Sequence, residues 1–136
     1  MDQRSICERY QEVAQELIQE EETLADIANS KAQIICLSST HKKKTRDRII
    51  HAECEKVSDK YKWGIPCDFT ITVFEPNVEH FTEEQIRILL HHELLHVGVE
   101  FKADGTEAYY TKPHDLEDFK IIIKKYGADW SDTDED

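Results

Sequence analysis

Between Gln3 and Ser30 the chain has neither Gly nor Pro, and Ile6, Tyr10, Val13, Leu17, Leu24 and Ile27 recur near helical spacing. Side chains three or four apart share one face of a helix, so this pattern predicts one long amphipathic helix with a strongly acidic outer face. The period then changes. AQIICLSS (32–39) is short and apolar between polar flanks, as a buried strand is, and IIHAECEKV (49–57) alternates well enough for a second strand. DFTITVFEP (68–76) is the clearest strand, rich in β-branched and aromatic residues and stopped by its proline. Two loops separate these runs: the basic HKKKTRDR (41–48), and SDKYKWGIP (58–66) with the Gly and Pro of a turn.

Helical spacing returns at Thr82, which fits an N-cap with Gln85 as its capping-box partner and acids in the first turn. This helix is expected to run to Gly98, a residue suited to a C-terminal stop. VEFKADGTEAYYTKP (99–113) holds a DG turn between two short runs and reads as a hairpin or an extended excursion. HDLEDFKIIIKKYG (114–127) is a final helix, with Leu116, Phe119, Ile122, Ile123 and Tyr126 toward the core and Gly127 at its end. The order of elements predicts an α+β fold: an N-terminal helix on a small three-stranded sheet, then two further helices joined by the hairpin.

A length of 136 residues fits one domain with a modest core. The net charge of -12 argues against a general binder of nucleic acid or anionic membrane, because such a surface repels phosphates. The acid is concentrated at 12–22 and in SDTDED (131–136), which reads as a disordered tail. Lys42, Lys43 and Lys44 leave room for a local, weak nucleic-acid contact. The cysteines form no CxxC pair and read as buried free thiols in a reducing compartment. No signal-peptide core and no membrane-spanning apolar run is present, so a soluble, cytoplasmic protein is expected.

The chemistry concentrates in IRILLHHELLHVGVE (86–100). Residues four apart lie one above the other on a helix, so His92 and His96 can bind one ion. His91 lies about a hundred degrees round the helix from His92 and reads as a surface histidine. Glu93 directly follows the first ligand, where its carboxylate reaches a water on the metal without coordinating it. This is the HExxH arrangement of two zinc ligands and a general base. Burying three imidazoles and a carboxylate on a packing helix would be costly without such a purpose. Catalytic zinc usually has three protein ligands. The third is expected after the helix, from His114, with Asp118 and Glu117 as alternatives. Asp115, Glu117 and Asp118 also suit a helix first turn, and one of them could orient a ligand imidazole. Tyr109 and Tyr110 lie between the two helices and are candidate oxyanion donors.

The run DKYKWGIPCDFTITVFEPNVEHFTEEQIRILLHHELLHVGVE, followed by PHDLEDFKIIIKKYGADW, resembles the putative phage metallopeptidase family, which is distantly similar to SprT-like and other minimal zincins. The resemblance covers roughly residues 30 to 130 and rests on EPN, HELLHV, HDLEDF and the closing YG-DW. Cys67 stands where an aromatic is expected before Asp68. The resemblance implies a zincin-like domain over residues 1–130, one Zn2+ held by His92, His96 and His114, Glu93 as the base, and a phage or prophage origin. It implies a peptide or protein substrate, lying along the sheet edge for which ITVFE (71–75) is nominated. Two rival readings are a zinc-stabilised binding module without turnover and a DNA-associated accessory protein using the basic island.

Overall fold

The computed structural model describes residues 3–113 and 125–126. The chain begins as a strand, β1 (Arg4–Ile6), and only then enters helix α1 (Glu8–Glu20). The expected helix to Ser30 is interrupted: Glu21 is extended, a 3-10 turn spans Glu22–Leu24, and the short α2 (Ala25–Ala28) follows. Three consecutive glutamates, 20 to 22, with no basic residue in the last turn, oppose the helix dipole where α1 stops. Leu24 and Ile27 nevertheless stay on the buried side, so the apolar pattern survives the break.

The strands that follow are β2 (Ile34–Ser39), the small β3 (Lys44–Thr45) and β4 (Arg48–Ile49), then β5 (Ala52–Lys56) and β6 (Phe69–Phe74). The main sheet has four strands, not the expected three, in the order β1-β2-β6-β5. β1 pairs antiparallel with the end of β2, Ile6 opposite Leu37, and so satisfies backbone groups that helical periodicity alone would not assign to a sheet. Where β1 ends, the Gln11 side chain continues the pairing: Nε2 donates to the Ile34 carbonyl at 2.8 Å and Oε1 accepts from Cys36 N at 2.9 Å. β2 and β6 run parallel, and β5 is antiparallel to β6.

One face of the sheet carries Ile34, Cys36, Phe69, Ile71 and Val73 into a core with Tyr10, Ala14 and Leu17 of α1. After β6 come the one-turn α3 (Glu75–Val78) and then α4 (Glu83–Leu94), whose Ile86, Leu90 and Leu94 complete that core. α4 starts as its sequence requires, with Thr82 N donating to Gln85 Oε1 at 2.8 Å and Gln85 N donating to Thr82 Oγ1 at 3.1 Å. It stops earlier than expected. The chain leaves the helix after Leu94 and becomes β7 (Val97–Phe101), paired antiparallel with β8 (Glu107–Thr111) around the expected turn.

Gly98 is therefore a strand residue, not a helix stop. A Cβ there would lie 2.5 Å from Tyr110 Cε2, so the aromatic ring opposite, and not a turn, requires the missing side chain. The basic island is likewise a structured hairpin, β3 with β4, turning at Arg46 with φ 57°. Asn77 Nδ2 clamps its base by donating to the carbonyls of Lys43 at 2.9 Å and Ile50 at 2.7 Å. All four cysteines are free; Cys36 and Cys67 are buried, and burial pushes the Cys36 thiol up to about 12. Among the described residues no helix is long and apolar enough to cross a membrane. The final helix of 114–127 falls outside the described residues except at Lys125 and Tyr126, which are helical, with Tyr126 packed on the core.

Candidate metal centre

His92 sits in the last turn of α4, and His96 lies just beyond it, where the helix tightens: Leu95 N donates to the His91 carbonyl and His96 N to the Glu93 carbonyl, at 3.1 and 3.0 Å. The tightened turn keeps both imidazoles on one side although the helix has formally ended. Their ring centroids are 5.2 Å apart, and one potential ligand atom from each of His92, Glu93 and His96 lies within 4.8 Å of the others. Both imidazoles are half-buried, open enough to admit a small ligand and shielded enough for a charge there to act strongly.

His96 is held by the hairpin. Its Nδ1 lies 2.6 Å from the Lys112 carbonyl oxygen, while Lys112 N donates back to the His96 carbonyl, also at 2.6 Å. A carbonyl can only accept, so Nδ1 carries the proton and Nε2 carries the lone pair. A backbone acceptor behind a metal-binding imidazole fixes its tautomer and raises its basicity. Two imidazoles and one carboxylate, with one tautomer set from behind, fit a divalent transition ion such as zinc.

Glu93 is 6% exposed. Burial, with a smaller contribution from Glu53, pushes its carboxyl up to about 8. A bound cation reverses that bias, because a nearby positive charge favours the carboxylate. α4 packs on β5, where desolvation raises the half-buried Cys54 thiol and the Glu93 carboxylate adds to that shift.

His91 is not a surface histidine. It is fully buried, with Nε2 2.9 Å from Thr23 Oγ1 and Nδ1 2.6 Å from the Tyr126 hydroxyl. The rotation that takes it away from His92 points it inward, between the 3-10 turn and Tyr126. Its apolar neighbours Leu89 and Leu90 were the only sequence signal for that burial, and they do not reveal its two partners. ITVFE is also not an edge. β6 is bonded on both sides, by β2 and β5, so the edge beside Glu93 is β5.

Tyr109 and Tyr110 point to opposite faces of β8. The Tyr109 hydroxyl donates to Glu107 Oε1 at 2.7 Å and its ring packs against Phe69 at 5.8 Å, whereas Tyr110 is 46% exposed and lies over Gly98. Lys43 turns inward to bond Glu53, while Lys42 and Lys44 are exposed. His114, Asp115, Glu117 and Asp118 lie outside the described residues.

No curated protein and no solved structure matches this chain. One family model does, over residues 3–135, and its description, Putative phage metallopeptidase, agrees with a centre built from two imidazoles and a buried glutamate. The chain belongs to that family.

Proposed function

We propose that this protein is a zinc-dependent peptidase of phage or prophage origin, acting in the cytoplasm of the host cell on peptide or protein substrates. The observation that carries this reading is the grouping of His92, Glu93 and His96 donor atoms within 4.8 Å, in the sequence order HELLH. His92 and His96 would hold the ion through ring nitrogens. Lys112 is bonded to His96, and residue 114 follows it by two peptide units, a reach of about 7 Å. His114 would be the third ligand, with Asp118 and Glu117 as alternatives and Asp115 as an acceptor for a ligand imidazole. When bound, zinc supplies Lewis-acid polarisation of the scissile carbonyl and acidifies a coordinated water.

Glu93 does the proton work. Its carboxylate takes the proton from the attacking water and passes it to the nitrogen of the departing amine. A buried carboxyl suits both halves of that task, because low polarity holds the transferred proton until the C–N bond breaks. The substrate strand would pair with β5. The bonds from Val57 N to the Asp68 carbonyl and from Phe74 N to the His51 carbonyl set the register, which turns the backbone groups of Ala52, Cys54 and Lys56 away from β6. Tyr109 and Tyr110 remain the candidate oxyanion donors, and Tyr109 would first have to leave Glu107.

The test is Glu93→Gln, which should retain stoichiometric zinc and lose peptide cleavage. Full cleavage by that variant would refute the mechanism, and zinc binding by a wild-type protein that cleaves no member of a peptide library would favour the non-catalytic binding module.

A second reading is favoured by the clamped β3–β4 hairpin, which displays Lys42, Lys44, Arg46 and Arg48 on an otherwise acidic protein. Such a finger can contact phosphates while the centre acts on a protein nearby. A salt-sensitive shift with DNA, lost when Lys42 and Lys44 are neutralised, would establish it.

A further inference from the structure

Of the large apolar side chains exposed among the described residues, Tyr61, Trp63 and Ile65 stand in one short loop, and Trp63 is 90% exposed. The loop joins β5 to β6 and is held by its own hydrogen bonds. A 3-10 turn covers Asp59–Tyr61, and Gly64 N and Ile65 N both donate to the Tyr61 carbonyl, at 3.1 and 3.0 Å. Lys62 Nζ donates to Asp68 Oδ1 at 2.9 Å, Val57 N donates to the Asp68 carbonyl at 2.8 Å, and Cys67 is buried. Apolar side chains clustered in water on a pre-formed loop mark a binding surface.

Tyr61 and Ile65 wall a groove of about 260 Å³ that also takes in Glu55, Val57 and Thr70. Side chains alternate along β5. Ala52 and Cys54 pack on the core, so Glu53, Glu55 and Val57 take the opposite face. The groove thus lies on the face of the sheet away from α4, at the end of its outermost strand. An extended chain paired with β5 puts each side chain on the same face as that of the residue opposite. A residue opposite Cys54 faces α4, which carries Glu93. A residue opposite Val57 faces the groove, about 10 Å further along the strand.

We propose that the groove walled by Val57, Tyr61 and Ile65 is a specificity pocket for a bulky apolar side chain of the substrate, about three residues from the bond that is cut. This rests on the reading of the protein as a peptidase whose substrate strand lies on β5. Backbone pairing with β5 is blind to side chains, and the groove supplies selection at one position. A charged side chain there would lose hydration against Val57 and Ile65 without a buried partner.

The test uses the full-length, zinc-loaded protein and a library of peptides from digested cell proteins, with cut sites read by mass spectrometry. Wild type should select a bulky apolar residue about three positions from the cut. Against one fluorogenic peptide carrying that residue, Ile65→Asp and Tyr61→Ala should each lower kcat/KM by about tenfold to a hundredfold. The same peptide with Ala at that position should lose little. Both substituted side chains are exposed, so zinc content and melting temperature should stay at the wild-type values. Equal losses on the two peptides, or an unchanged preference in the variants, overturn the pocket and leave the peptidase reading intact. A wild-type dimer that Ile65→Asp dissociates in sedimentation, with cleavage unchanged, assigns the loop to a second copy and also overturns the pocket. If the wild type cuts nothing in the library, the peptidase reading fails and the proposal with it.

Discussion

His96 and Lys112 are joined twice, by side chain to backbone and by backbone to backbone, each at 2.6 Å. One residue thus serves as a candidate ligand and as the first rung of the β7–β8 hairpin. The hairpin is the device that sets the imidazole tautomer, and the bonding atoms of Lys112 all belong to its backbone. Lys112→Ala should therefore leave zinc affinity unchanged. Lys112→Pro, which removes the N–H, should weaken it by about tenfold to a hundredfold. Equal affinity in both variants, measured by chelator competition, would show that the tie does not support the metal.

Gly98 is constrained by Tyr110 and not by its own backbone conformation. Gly98→Ala should destabilise the protein by about 1–2 kcal/mol in urea unfolding, since the ring must move off a Cβ placed 2.5 Å from it. In a Tyr110→Ala background the same substitution should cost less than half as much. Additive costs would contradict the contact.

Thr82 and Gln85 satisfy each other's backbone donors at the start of α4. Thr82→Ala should cost about 1 kcal/mol of stability. Because the two bonds form one box, Gln85→Ala should cost much less when made on top of it, and a double-mutant cycle reads the difference.

His51 packs against Phe81, ring centroids 5.0 Å apart, and burial holds its imidazole below the ordinary 6.5. Below pH 6.5 the unfolded chain takes up a proton that the folded protein resists. Stability contributed by the neutral ring is complete above that pH and is lost as pH falls toward the folded value. His51→Phe should make the stability profile between pH 7 and 5 shallower, by at most about 1.4 kcal/mol per pH unit. An unchanged slope in denaturant titrations would remove His51 from the acid response.

What the chain determined by itself is whatever depends on neighbours in sequence. The capping box at Thr82, the DG turn at Gly105, the apolar runs of β2 and β6 and the HELLH spacing are all local, and each stands where its residues imply. Tertiary structure decided the rest. β1 exists because β2 had backbone groups to pair, α4 ends at Leu94 because β8 offers a partner to Val97, and β6 is interior because β5 returns beside it. Two helices that share one apolar stripe cannot be told from a single helix by periodicity, because Leu24 and Ile27 stay on the buried side across the break at Glu21. His91 shows the same limit: helical geometry says that it turns away from His92, but only the approach of Thr23 and Tyr126 makes that direction the interior. Local spacing placed the donor atoms together, and long-range hydrogen bonds decided which way each imidazole faces and which nitrogen it presents.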